Sequence, residues 1–84
     1  MGKHSHNFVE EYDGLVAFGL DRKTDEYTLT YYLQKFSDDE NIVLLRERMS
    51  EGDLRELFDL LTRLLKEYLS EEEYHRVFLK DETP

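Results

Sequence analysis

Residues 54–68, LRELFDLLTRLLKEY, carry the clearest pattern in this chain. Apolar side chains recur there at i, i+3, i+4 and i+7, which is the spacing of one face of an α-helix. The charges on the other face alternate in sign, as they do on a solvated helix surface. We therefore predict a helix over residues 51–69 at the centre of the fold. Its apolar stripe consists of Leu54, Leu57, Phe58, Leu61, Leu64, Leu65 and Tyr68.

Leu60 and Leu69 lie at the edges of this stripe and widen the apolar arc to about half of the helix circumference. An arc of that width either packs against several elements of its own domain or contacts a second protein molecule. Leu60 and Leu69 are therefore candidate interface residues.

Three segments begin with a serine that is followed three residues later by an acid: SDDE from residue 37, SEGD from residue 50 and SEEE from residue 70. A serine oxygen accepts a hydrogen bond from a free backbone N–H at a helix start, and the acid completes a capping box. We expect Ser37, Ser50 and Ser70 to be these N-caps. The predicted helices cover residues 38–49, 51–69 and 71–79, and their short joints indicate that they fold back on one another.

The N-terminal part of the chain has the features of β structure. Residues 27–33, YTLTYYL, are rich in β-branched and aromatic side chains that alternate between two faces. Residues 15–20 offer a matching strand, with residues 21–26 as the hairpin loop. Asp13 and Gly14 are typical of a tight hairpin turn, which adds a strand over residues 8–12.

A short helix is the alternative for residues 8–12. Asn7 can act as its N-cap, with Glu10 three residues later in the capping-box position. The sequence leaves both structures open for this segment.

Together these elements predict an α+β fold, in which an antiparallel two- or three-stranded meander is followed by three helices packed on one face. We expect a single domain over residues 1–84, with residues 1–6 and 81–84 flexible. Tyr32 falls on the second face of the sheet and, with Phe36, is a candidate interface residue, because tyrosine is enriched among interface anchors. The alternative is a tyrosine on a solvated sheet face.

The chain has a formal charge of −9, from 20 acidic and 11 basic residues. Such a surface repels nucleic acid phosphates and anionic membranes, so we expect neither to be a direct partner. Much of the acidity falls in the first turns of the predicted helices, where the helix dipole favours negative charge. If the three helix starts merged into one patch, the chain could instead inhibit a DNA- or RNA-binding protein by mimicking nucleic acid. The first-turn acids are Asp38, Asp39, Glu40, Glu51, Asp53, Glu71, Glu72 and Glu73.

Two short motifs bear on metal binding. In EEEYH, residues 71–75, Glu72 and His75 have the spacing found in carboxylate-bridged dimetal bundles. Such a bundle needs two units of this kind and two further glutamates, whereas this chain supplies one unit, so we expect no metal site there. Gly2, Lys3 and His4 suit square-planar Cu(II) or Ni(II) if Gly2 is the first residue of the mature chain, and this possibility stays open.

Neither catalytic nor cofactor-binding residues stand out. The chain has no cysteine, which fits a reducing compartment, and no apolar run approaches the about 20 residues of a membrane span. We expect a cytoplasmic, non-enzymatic domain that acts in interaction or regulation, through a protein partner or as a homodimer.

Overall fold

The computed structural model describes residues 3–81, of which 71% are helical and none forms a strand. The predicted α+β fold and its β-meander are therefore wrong. The helices are α1 (Asn7–Glu11), α2 (Arg22–Phe36), α3 (Asp39–Arg48), α4 (Glu51–Tyr68) and α5 (Glu71–Glu73), and α5 continues as a π-helical turn over Tyr74–Phe78.

The chain forms two compact units. The N-terminal unit is Met1–Arg48 and contains α1 to α3, and the C-terminal unit is Met49–Pro84 and contains α4, α5 and the π turn. The single domain over residues 1–84 stays a prediction.

Helix α2 occupies the segment that was predicted to be a hairpin loop and a strand. The Asp21 side chain caps its start by accepting a hydrogen bond from the Thr24 backbone N–H at 2.9 Å. An ion pair of 2.8 Å between Arg22 and Glu26, four residues apart, supports the first turns. Residues 27–33 have a preference for strand structure, but β propensity depends strongly on context. Here the capped helix start and the tertiary packing outweigh it, and the segment is helical.

Residues 15–20 form a loop, so the strand predicted there is also wrong. The side chain of Thr28 makes the hydrogen bonds to this loop that a neighbouring strand would have made. Thr28 is only 4% exposed. Its hydroxyl accepts from the Ala17 N–H at 3.0 Å and donates to the Ala17 carbonyl at 2.9 Å. One hydroxyl thus satisfies both backbone groups that a neighbouring strand would otherwise pair.

The sequence left a strand and a short helix open for this segment. Residues 7–11 form the short helix, and the strand predicted over residues 8–12 is wrong. His6, rather than Asn7, stands at the N-cap position and makes no side-chain cap bond. Instead, the Val9 backbone N–H donates to the Gln34 side chain at 2.9 Å, and Val9 is buried. A helix of five residues cannot persist alone, so α1 depends on these contacts with α2.

The residues before α1 are tied to the junction of α2 and α3. The Ser5 backbone N–H and hydroxyl donate to Asp38 at 2.6 and 3.1 Å, and the Ser5 oxygen accepts from the Asp39 N–H at 3.2 Å. The His4 side chain contacts Glu10, and His6 contacts the Ser37 hydroxyl at 3.0 Å. The Cu(II) or Ni(II) binding that the sequence left open involves Gly2, which lies outside the described residues. Residues 82–84 of the predicted flexible tail lie outside them as well.

Two of the three predicted serine caps are confirmed. The Ser50 oxygen accepts from the Asp53 N–H at 3.1 Å. At α5, the Ser70 oxygen accepts from the Glu73 N–H at 3.1 Å while the Glu73 carboxylate accepts from the Ser70 N–H at 2.9 Å, which completes a capping box.

The third cap was assigned to the wrong residue. Ser37 ends α2, and its hydroxyl donates to the Leu33 carbonyl at 2.9 Å. Asp38 precedes α3 instead, and its carboxylate accepts from the Glu40 N–H at 3.3 Å. The helices predicted over residues 38–49, 51–69 and 71–79 are otherwise present, with the last one π-helical in its second half.

Replacing the confirmed caps should destabilise the C-terminal unit. Ser50→Ala and Ser70→Ala should each lower the free energy of unfolding by about 1 kcal/mol, because a backbone N–H loses its acceptor. Ser37→Ala is the comparison and should cost less, about 0.5 kcal/mol, because the Ser37 hydroxyl makes only exposed hydrogen bonds to Leu33 and His6 and caps no helix start. Urea unfolding followed by circular dichroism measures all three, and equal losses would contradict this assignment.

The Thr28 hydroxyl should matter more than the shape of its side chain. Thr28→Val keeps the volume but leaves the Ala17 N–H and C=O without partners, at an expected cost of about 1–3 kcal/mol. Thr28→Ser retains the hydroxyl and should recover most of that loss. A valine variant as stable as the serine variant in thermal unfolding would contradict this role.

Asp38 should make the stability of the N-terminal unit sensitive to acid. Hydrogen bonds from the Ser5 backbone, the Ser5 hydroxyl and the Glu40 backbone hold the pKa of Asp38 below its ordinary value. Asp38 therefore stabilises the fold above the unfolded-state pKa of about 4, and this contribution disappears as the pH falls through the lower, folded-state pKa.

Asp38→Asn should consequently flatten the loss of stability between about pH 5 and pH 2 in urea unfolding. Asp39→Asn is the control, because the Asp39 side chain makes no hydrogen bond with another residue in the range 3–81. The prediction fails if the two variants show the same pH profile.

Candidate protein-interaction surface

The apolar stripe predicted for α4 is present and faces solvent over much of its length. Phe58 is 67% exposed and Tyr68 is 72% exposed, and Leu54, Leu60 and Leu61 are also exposed. Leu57, Leu64 and Leu65 are half-buried. Large apolar side chains that line one helix at this spacing form a continuous surface, which is typical of an interaction site.

A groove lies between the second half of α4 and the segment formed by α5 and the π turn, and we call it the α4 groove. Its volume is about 470 Å³. Apolar and aromatic side chains form most of its wall, and three polar side chains complete it. The lining residues are Phe58, Leu61, Thr62, Leu65, Lys66, Leu69, Glu71, Tyr74 and Phe78.

The π turn shapes one wall of the α4 groove. The Leu79 N–H donates to the Tyr74 carbonyl five residues earlier at 2.9 Å, which widens the helix by one residue in this turn. The rings of Tyr74 and Phe78 stack with their centroids 5.3 Å apart. Lys80 then adopts a left-handed backbone with φ of 60°, and the helical segment ends. Single π-helical turns are frequent at functional sites.

The four candidate interface residues lie in different units. Leu69 is half-buried and lines the α4 groove, and Leu60 lies on α4 with 44% exposure. Tyr32 and Phe36 lie in the N-terminal unit on α2, and not on a sheet as predicted. Tyr32 is 65% exposed beside a shallow pocket that Val16 and Phe18 also line, and Phe36 is half-buried. Their role as interface residues stays a prediction.

Sequence reasoning missed the aromatic wall of the α4 groove. Neither Tyr74 nor Phe78 was a candidate from the sequence, but Phe78 is exposed and both rings border the groove. The pairing of two aromatic rings four residues apart was visible in the sequence. The π turn that presents them was not visible, because it depends on a backbone hydrogen bond from Leu79 to Tyr74 that spans five residues instead of four.

The first-turn acids of the C-terminal unit lie at two separate places. Glu51 and Asp53 open α4, whereas the acids from Glu71 follow its far end. A helix of 18 residues is about 27 Å long, so these two helix starts cannot share one patch on the unit. The nucleic-acid mimic required a merged patch, and nothing in the geometry of this unit favours it.

The EEEYH motif is used for helix capping and side-chain pairing. Glu73 forms the capping box, and hydrogen bonds from the Ser70 backbone and hydroxyl hold the pKa of Glu73 below its ordinary value. His75 contacts the Asp81 carboxylate at 3.1 Å rather than a second glutamate. Among residues 3–81 no three histidine, aspartate or glutamate side chains converge as metal ligands would.

No helix within residues 3–81 combines the length and the apolar character that crossing a bilayer requires. Comparison with known proteins gives no match to a family model, to a curated protein or to a solved structure.

Proposed function

We propose that this chain is a non-enzymatic protein-interaction domain, in which the α4 groove and the adjoining apolar face of α4 bind an apolar helical segment of a partner protein. The observation that carries the proposal is the row of exposed apolar side chains along α4, with Phe58 and Tyr68 the most exposed.

The form of the surface supports a helical ligand. Helices dock in apolar grooves through side chains at i, i+3, i+4 and i+7, which is the spacing that α4 itself presents. Burial of one large side chain such as Phe58 contributes about 1.5–3 kcal/mol to such a contact. A few residues of this kind are enough to dominate binding.

Charge supports a basic partner over a second copy of this chain. The C-terminal unit has ten acidic and five basic residues, so two copies of it repel each other while a basic segment is attracted. The alternative is self-association through the same face. The mass of the protein in solution distinguishes a dimer from a monomer that binds a partner.

The non-enzymatic role and the cytoplasmic location belong to the same proposal. The polar side chains of the α4 groove, Thr62, Lys66 and Glu71, stand among leucine and aromatic residues, a composition that suits protein contact. The absence of cysteine supports a reducing compartment.

A designed helical peptide of leucine and lysine tests this proposal directly, against the same peptide with glutamate in place of lysine. We expect the lysine peptide to bind the full chain. Its affinity should fall as salt is added, because salt screens the attraction between opposite charges. The glutamate peptide should bind at least about tenfold more weakly, a difference of about 1.4 kcal/mol. Fluorescence anisotropy of labelled peptides measures both.

Two matched variants locate the binding surface. Phe58→Ser should lower the affinity for the lysine peptide by about tenfold. Glu56→Ser, on the charged face of α4, should change that affinity by less than about threefold. Sedimentation of the unmodified chain gives its mass in the same buffer. Equal binding of the two peptides, or no effect of Phe58→Ser, would contradict the partner proposal, and a dimer lost in Phe58→Ser would assign the face to self-association.

A further inference from the structure

A further cavity, in the N-terminal unit, has walls of a different kind. Its volume is about 380 Å³, within the range of small-ligand sites, and it is lined by Phe8, Tyr12 and Tyr27 together with Glu11 and Asp13. We call it the aromatic pocket. Three aromatic rings and two carboxylates around one cavity form a set of groups suited to a cation with an apolar surface.

The three rings are in mutual contact. The centroids of Phe8 and Tyr12 lie 5.1 Å apart, those of Tyr12 and Tyr27 lie 5.6 Å apart, and those of Phe8 and Tyr27 lie 6.0 Å apart. The planes of Phe8 and Tyr12 are nearly parallel, whereas Tyr27 is tilted by 50° from Tyr12. Because the three rings pack against one another, a ligand can contact only the ring surfaces that these contacts leave open.

The ring cluster already attracts cations from its own chain. The Lys23 ammonium lies 5.5 Å from the centroid of Tyr27, and the Lys35 ammonium lies 5.1 Å from the centroid of the adjoining Tyr31. Both distances are within the range of about 6 Å in which a ring face attracts a positive charge. Lys23 also approaches Glu26 at 3.8 Å, so part of its charge is balanced within α2.

The carboxylates of the aromatic pocket are available to a ligand. Glu11 and Asp13 are exposed, and neither carboxylate forms an ion pair or a hydrogen bond with another described residue. Two unneutralised negative charges beside ring faces create a local potential that favours a cationic ligand and disfavours an anionic one.

The position of the Tyr12 ring is fixed by its surroundings. Its hydroxyl donates to the Leu15 carbonyl at 2.7 Å, across the turn that contains Gly14. A Cβ at Gly14 would lie 2.6 Å from the Tyr12 hydroxyl oxygen, so a larger residue at this position would displace the ring. The pocket wall is thus formed before any ligand arrives, which lowers the cost of binding.

From this geometry we infer that the aromatic pocket binds a trimethylammonium group, with Phe8, Tyr12 and Tyr27 against its methyl groups and Glu11 and Asp13 opposite its charge. A primary ammonium is compact and strongly hydrated, whereas a methylated ammonium presents apolar methyl groups to the rings and keeps its positive charge. Choline and a trimethylated lysine side chain both carry this group.

Choline and its uncharged isostere, 3,3-dimethyl-1-butanol, test the inference with the full chain. The ring protons of Tyr12 and Tyr27 are followed by NMR as each probe is added. We expect choline to bind with a dissociation constant of about 1–10 mM and the isostere to bind at least about fivefold more weakly, because only choline has the charge. Equal affinities, or no shift of these signals up to about 50 mM choline, would overturn the inference.

Variants at the carboxylates keep the test independent of folding. Glu11→Gln combined with Asp13→Asn should lower the affinity for choline about threefold or more, because two negative charges are removed. The circular dichroism spectrum should stay unchanged, because both side chains are exposed. Glu47→Gln on α3 is the matched control and should leave choline binding unchanged. Tyr27→Leu removes one aromatic wall and should reduce the difference in affinity between choline and its isostere, because Glu11 and Asp13 still favour the charged probe. An unchanged choline affinity in the double variant would overturn the role of the carboxylates and with it the inference.

A third probe identifies the source of the group. A short peptide containing trimethyllysine that binds more than about tenfold more tightly than choline would assign the pocket to a modified protein, and similar affinities would assign it to a small molecule. Either result supports the pocket. Phosphocholine should bind more weakly than choline, since its phosphate meets Glu11 and Asp13.

Discussion

The backbone N–H groups at the start of a helix need acceptors, and this requirement organises most of the chain. The side chains of Asp21, Asp38, Ser50 and Ser70 each accept from an N–H in the first turn that follows. Acids in the same turns add a favourable interaction with the helix dipole. Since four helix starts are built in this way, a large part of the negative charge of the chain is a consequence of its architecture.

The same requirement explains where sequence reasoning succeeded and failed. It was applied to the serines before α4 and α5, which it identified correctly, but not to Asp21, which was assigned to a hairpin loop. Residues 27–33 fit a strand with period 2, yet Tyr27 and Tyr31 are also one helical turn apart. Tyr27 packs against Phe8 in α1, and Tyr31 packs against Tyr12, which follows α1. An isolated pattern of seven residues cannot distinguish these structures, and the cap at Asp21 was the signal that could have done so.

The candidate sites were predictable to different degrees. The apolar face of α4 follows from its sequence alone, including the exposed edge at Leu60, because it depends on the spacing within one helix. The α4 groove also needs the π turn that presents Tyr74 and Phe78. The aromatic pocket joins Tyr12 to Tyr27 across a loop that was predicted to be a strand, and Thr28 fixes that loop through Ala17. Contacts of this kind between distant residues are not visible in a single sequence.

The exposed face of α4 also has a consequence for the behaviour of the protein in concentrated solution. With so much apolar surface in contact with water, electrostatic repulsion between copies is what provides colloidal stability. Near the isoelectric point, at about pH 4.7, the net charge falls to zero and this repulsion is lost, so the exposed apolar faces of different molecules can associate. The acidic surface therefore has a second effect, because it opposes association through the exposed apolar face of α4.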